Sequence, residues 1–206
     1  MTSIAELSDE QVLKAAQQLR VAYGLKRTLR YDTKRDLDVH SESVAEHVFG
    51  LMFLAQYFLQ CEEVGPSLNV EKLYRILLFH DFGEIKHGDV PYHRKTEEHE
   101  VQERVAAEEL FNTLPPFLQQ VGYESWRDYE ERMSPEARFA YALDKIEPLF
   151  ELLDPVNERS MKRLEFSYQM HIEKKLKATA EFPAMRRFVE VISKDMLDRN
   201  IFWDGK

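Results

Sequence analysis

His47, the pair His80-Asp81, Glu84 and Asp144 are the side chains whose types and spacing could do chemistry. Imidazole and carboxylate together, with no thiolate among them, suit Zn, Mn, Fe, Co or Ni and exclude a soft-metal site. His47 falls in the first turn of an apolar helix, on the face of Val44, Gly50, Leu51 and Leu54. A single histidine in such a place is more often a satisfied core residue than a ligand. His80 shares a face with Leu73 and Ile76, and Asp81 follows at once. Consecutive helical residues diverge by about 100°, so the two converge on one ion only where the helix ends or the ion sits between the faces. Glu84, four residues beyond His80 and three beyond Asp81, can line the same edge. A buried Asp beside a buried His needs compensation, because an unpaired charge in a core is costly. A cation is the simplest compensation. Asp144 lies among Tyr141, Ala142, Leu143, Ile146 and Leu149. An ion pair with Lys145, Arg138 or an Arg of another helix would account for it as well as a metal would.

The elements that must position these residues read as helix after helix. Ser8-Asp9-Glu10-Gln11 has capping-box spacing before Val12, Ala15, Ala16 and Leu19. A basic, irregular stretch follows from Lys26 to Arg35. Ser43-Val44-Ala45-Glu46 is a second capping box and predicts a helix to about Gln60. Gly65-Pro66 marks a turn before a third helix, and Lys86 to Lys95 reads as a loop. An amphipathic helix is expected at about Glu97 to Asn112, broken by Pro115-Pro116, with Gly122 to Met133 as a connection. Ser134-Pro135-Glu136 opens a helix carrying Phe139, Leu143, Ile146 and Phe150, with Pro148 kinking or ending it. Two more helices should fill Asn157 to Thr179 and Pro183 to Asn200. No two-residue alternation, hairpin or repeat is visible. The expected fold is all-α, a single-domain helical bundle over residues 1–206.

Composition narrows the function. The 206 residues carry 28 Lys and Arg against 37 Asp and Glu, a net charge of −9. That balance speaks against binding a nucleic acid polymer, which needs a basic surface. A phosphorylated small molecule remains possible where a metal reverses the local field. Cys61 is alone, so a reducing compartment is expected. No secretory signal and no apolar run of membrane-spanning length appear, and a cytoplasmic location without membrane contact follows.

The wider pattern resembles the HD-domain metal-dependent phosphohydrolases. His47, His80-Asp81 and Asp144 match the family's His, His-Asp, Asp order. Ser43-Val44-Ala45-Glu46-His47, His80-Asp81-Phe82-Gly83-Glu84 and Gly88-Asp89-Val90-Pro91 are similar to the 5′-deoxynucleotidase branch, as are Tyr123 to Glu130 and Ser134 to Ala137. The likeness spans about residues 8 to 175. It implies an HD-domain helical bundle, hydrolysis of deoxynucleoside 5′-monophosphates to deoxynucleoside and phosphate, one divalent transition-metal ion, and a homodimer. It makes His47, His80, Asp81 and Asp144 the metal ligands, and Glu84 and Asp89 the acids that position water and move protons. His40 stands where several members carry Arg, so the arginine for the substrate phosphate is assigned to Arg30 first and Arg27 second, with Tyr31 as the accompanying aromatic. Phe82 and Tyr92 are further stacking candidates, while His87, His93 and His99 read as surface residues near the loop. Two other functions fit the same residues: another phosphohydrolase of this superfamily, acting on cyclic nucleotides or guanosine polyphosphates, or a helical scaffold that keeps the metal as a structural clamp.

Overall fold

The computed structural model describes residues 9–30, 42–90, 94–153 and 158–205. Its helices are α1 (Asp9–Leu19), α2 (Val44–Cys61), α3 (Val70–Phe79), α4 (Glu84–His87), α5 (Glu97–Thr113), α6 (Pro116–Glu131), α7 (Pro135–Glu151), α8 (Glu158–Arg163), α9 (Tyr168–Ala178) and α10 (Pro183–Asp198). Short 3-10 turns occupy Arg20–Lys26 and Gly65–Ser67. Among the described residues there is no strand, only an isolated antiparallel bridge between Leu29 and Ser43. The all-α expectation is met.

The starts lie where side chains can cap them. The Ser43 hydroxyl accepts from the Glu46 amide at 3.3 Å, and the Glu46 carboxylate accepts from the Ser43 amide at 2.7 Å. Ser134 caps α7 through the Ala137 amide at 3.1 Å, with Pro135 at the first helical position.

Four expectations need correction. Residues 116–131 are a helix, so the expected connection from Gly122 lies mostly within it: Pro115 follows the C-cap of α5, and Pro116 starts α6 with its fixed φ. Gly122 belongs to the packing of that helix: a Cβ there would lie 2.7 Å from the Phe111 ring, so its absence lets α6 close on α5. The helix expected from Asn157 to Thr179 is two. Glu165 turns left-handed at φ 59°, Phe166 donates back to the Met161 carbonyl at 2.9 Å, and Ser167 caps α9 afresh. The stretch from Lys86 also starts inside α4 rather than in a loop. Pro148 neither ends α7 nor stands outside it; the helix runs on to Glu151.

The interior has two apolar clusters. One joins α2, α3, α7 and α10 through Leu51, Phe58, Leu73, Ile76, Phe139, Leu143, Ile146 and Val189. The other joins the start of α2, the end of α3, α5 and α6 through Val44, Val48, Phe79, Phe82, Leu110, Phe111 and Trp126. His47 lies between Val48 of the second cluster and Leu51 of the first. His80 and Asp81 lie between Phe79 and Phe82 on one side and Ile76 and Leu77 on the other. The polar residues of interest therefore occupy the seam of two cores.

The α3, α6 and α7 junction is tied by charge. The Asp128 carboxylate accepts from the Ser134 amide at 2.9 Å and hydroxyl at 2.7 Å and pairs with Lys72 at 2.8 Å. Burial pushes Asp128 up, but Lys72 and the Ser134 bonds hold it below the usual carboxylate range. Such a group adds stability above its unfolded pKa of about 3.9 and loses it as pH falls through the lower folded value. Asp128→Asn should therefore lower the melting temperature at about pH 7 and narrow the gap between melts at about pH 7 and pH 3. An unchanged gap would remove Asp128 from the acid response.

Candidate functional site

Each of the motif residues is placed by a helix end or a helix contact. The capping box fixes the start of α2, and His47 sits one turn in, fully buried. Helix α3 ends at Phe79, which is the condition for consecutive His80 and Asp81 to meet one point. Asp144 projects from the middle of α7. His47 Nε2 lies 3.2 Å from Asp144 Oδ1 and 3.8 Å from Asp81 Oδ2, and His80 Nε2 lies 3.1 Å from Asp81 Oδ2. The two imidazole rings are 5.7 Å apart. The four residues thus converge.

The chemistry of this donor set fits a metal ion. His80 Nδ1 donates to the Leu77 carbonyl at 2.9 Å, which leaves Nε2 as the ring's lone-pair nitrogen. That Nε2 is buried and makes no hydrogen bond. An orphaned buried acceptor beside two carboxylates and a second imidazole asks for a cation. His47, His80 and Asp81 bring three donor atoms within 4.8 Å of one another. Burial pushes the Asp81 carboxyl up, yet His80 and His47 hold it down at about 2. Asp144 is likewise held well below the usual range, against burial, by Lys145 and the two histidines.

A second group of residues orients the first. His47 Nδ1 is 2.9 Å from Glu147 Oε2 and also meets Arg30 and Glu42. Arg30 donates to Glu42 at 2.9 Å and to Glu147 at 3.2 Å, with Asp89 3.8 Å from its Nε. A carboxylate on the far nitrogen of a ligating histidine fixes the ring and raises its basicity. Gly50 makes the approach possible, since a Cβ there would sit 3.1 Å from Glu147 Oε1. Asp144 Oδ2 is held by Tyr129, whose hydroxyl donates at 2.5 Å, and by Lys145. Sequence reasoning did not single out Glu42, Tyr129 or Glu147. Glu147 stands three residues after Asp144 on one helical face and had a spacing signal. Glu42 and Tyr129 are brought in by tertiary contact alone.

The site opens into a cavity of about 550 Å³ lined by Arg30, Asp81, Glu84, Asp89, Lys95, Glu103, Tyr129, Glu130, Asp144, Lys145 and Lys175, among others. Burial and the charges of Asp81 and Asp89 push the Glu84 carboxyl well above the usual range, and its Oε2 has no hydrogen-bond partner. So a carboxyl held low, Asp81, and one pushed high, Glu84, share one wall. Arg30 is buried on that wall, whereas Arg27 is exposed at the end of the 3-10 turn and does not line the cavity. Tyr31, His40, Tyr92 and His93 lie outside the described residues. Phe82 is core, stacked on Phe111 at 5.1 Å, and so is not a base-stacking surface. His99 lines the cavity mouth while its ring caps α5.

Residues 22–186 match the family described as HD domain. The chain is 30% identical over 152 residues to the 5′-deoxynucleotidase HDDC2 of Homo sapiens, covering 72% of each. It is 30% identical to the same-named enzyme of Bos taurus over 150 residues, 72% of this chain and 71% of that one. In fold it is similar to a structure described as a predicted metal-dependent phosphohydrolase from Magnetospirillum magnetotacticum, with TM-score 0.77 and 23% identity over 95% of this chain and 100% of that one.

His47→Ala, His80→Ala and Asp144→Ala should each strip the purified protein of metal, measured by atomic emission. Glu147→Gln keeps the shape of the support but weakens it, and metal affinity should fall by about 10- to 100-fold. Full metal occupancy in Asp144→Ala would take that residue out of the ligand set.

Proposed function

The chain belongs to the HD-domain family, and from that premise we propose that it is a metal-dependent 5′-deoxynucleotidase, hydrolysing deoxynucleoside 5′-monophosphates to deoxynucleoside and phosphate. The observation that carries this reading is the buried His80 Nε2, which makes no hydrogen bond and lies 3.1 Å from Asp81, a residue that with Asp144 lines a cavity with room for a nucleotide. His47, His80, Asp81 and Asp144 would hold one divalent ion of the Mn, Co, Zn, Fe or Ni class. Such an ion, when bound, lowers the pKa of water from about 15.7 towards 7 and offsets phosphoryl charge.

The chain's own residues do the rest. Glu84, proton-holding beside ionised Asp81, is placed to give a proton to the leaving 5′-oxygen or, once ionised, to take one from the attacking water. Asp89 adjoins Arg30 and adds negative charge that keeps the Glu84 proton in place. Of the two arginines proposed for the phosphate, Arg30 is the one on the cavity wall. Glu147 and Tyr129 hold His47 and Asp144 in their orientations before substrate arrives.

We also assign the chain one domain, a reducing cytoplasmic setting in keeping with the exposed thiol of Cys61, and a homodimer. No helix among the described residues is long and apolar enough to cross a membrane. The dimer reading is supported by α2, where Phe49, Phe53 and Tyr57 recur every fourth residue and are 73%, 70% and 52% exposed. Contiguous exposed aromatics of this kind mark interaction surfaces, and one helix face can pair with its own copy about a two-fold axis.

Phosphate release should be seen from deoxynucleoside 5′-monophosphates, should stop with EDTA, and should return with a divalent metal. Release only from cyclic nucleotides or guanosine polyphosphates would replace this substrate class. Glu84→Gln and Asp89→Asn should keep metal content close to that of the wild type while turnover falls by about 10² to 10⁴, with less change in KM. Wild-type rates in both would end their proposed roles. Phe53→Glu should halve the mass seen by sedimentation, and an unchanged mass would exclude this face as the dimer contact.

A further inference from the structure

Lys175, on α9, is a buried cation with no carboxylate partner among the described residues. It is 8% exposed and lines the same cavity as Asp81 and Asp144. Its Nζ donates to the backbone carbonyl of Lys145. An ammonium has three donors, and that bond uses one.

The nearby carboxylates are already spoken for. Asp144 is held by Tyr129, Lys145 and His47, and Glu147 by His47 and Arg30. The Arg30 charge is met by Glu42 and Glu147, and the Lys145 charge by Asp144. Among the described residues, the charge of Lys175 is met by no carboxylate in this way. Burial, helped by Lys145 and Arg30 and opposed by Asp144 and Glu147, pulls its ammonium down to about 7. His171 beside it is kept neutral by burial and by Lys175 itself, and its Nε2 is 3.0 Å from the Ser193 hydroxyl. Leu152, Leu164 and Phe166 complete the wall. A buried ammonium at a cavity wall attracts an anion more strongly than one in water, and a buried charge without an opposite charge is costly until an anion arrives.

We propose that Lys175 Nζ is an anion subsite of this cavity that takes a phosphate oxygen, first of the substrate and then of the released phosphate. The substrate half rests on the proposed nucleotidase reading; the binding of free phosphate does not. Lys175 is thus a binding residue, and its bond to the Lys145 carbonyl aims the remaining two N–H groups.

The probe is inorganic phosphate, against chloride at equal ionic strength. On metal-loaded protein, calorimetry should show phosphate binding about 10- to 100-fold weaker in Lys175→Met than in the wild type, the usual worth of a hydrogen bond to a charged group. Methionine keeps the length of the stem, and metal content and melting temperature are measured on the same sample. With deoxynucleoside monophosphates, KM should rise more than kcat falls; a purely structural clamp would instead lower metal content or kcat. A second measurement needs no variant. Acetic anhydride labelling of wild-type Lys175, followed by peptide mass spectrometry, should slow several-fold with saturating phosphate and stay unchanged with chloride. A folded, metal-loaded Lys175→Met with wild-type phosphate affinity overturns the subsite, and so does labelling that ignores phosphate. Wild-type turnover tests the activity by itself. An inactive protein whose Lys175 is still protected keeps the subsite and ends the nucleotidase reading, and an active one with unprotected Lys175 does the reverse.

Discussion

Negative charge is gathered inside this protein, and the pairing of His47 with Glu147, Asp144 and Arg30 makes that tolerable. Asp81, Asp144, Glu42 and Glu147 converge on a fully buried imidazole between two apolar clusters. Charges placed there without partners would cost far more than the fold can bear. Burial and Arg30 pull His47 down, but Glu147 and Asp144 carry it well above its ordinary pKa. A proton on His47 and the guanidinium of Arg30 therefore balance the seam. A divalent ion at the Nε2 side would relieve the same crowding more fully, which is why the donor set and the electrostatic strain point to one answer.

The rest of the architecture keeps that balance in place. Helices α2, α3 and α7 each contribute to the site, and their packing is fixed on both sides by separate apolar clusters. Close-packed interiors move little, so side chains held at such a seam are positioned before anything binds. The second group, Glu147, Tyr129 and Arg30, works by the same rule. Each is buried, and each has its polar atoms committed to a residue of the motif.

The environment also separates acids that sequence alone treats alike. Asp81 sits against two imidazoles and is held low, while Glu84, three residues on, is pushed well above the usual range by burial and by the charges of Asp81 and Asp89. Glu151 is pushed to about 8 by burial and by Glu42 and Glu147. Carboxyl groups driven apart in this way can share out the acid and base roles of one reaction. The cationic side of the cavity shows a similar division, with Lys145 bound to Asp144 and Lys175, among the described residues, bound to a carbonyl.

The sequence by itself determined the helices and the identity of the motif. Ser43 with Glu46, and Ser134 with Pro135, are local signals, because a cap and a fixed φ act within one turn. Periodicity gave His80 its buried face but left open whether the helix ends at His80-Asp81, which the end of α3 at Phe79 decided, and the grouping of His47 with Asp144 followed from resemblance. The proline that starts α6 was read only as a break, since Pro stops one helix and opens the next by the same missing N–H. The left-handed Glu165 gave no compositional warning, as glutamate is not a residue that favours that region. The place of Arg30 on the cavity wall and of Arg27 away from it, the buttressing by Glu42 and Tyr129, and the bond of Lys175 to the Lys145 carbonyl came only from the tertiary structure. Those depend on which side chains from distant helices meet in a place without water, and burial, unlike a cap, is not a property of any short stretch of chain.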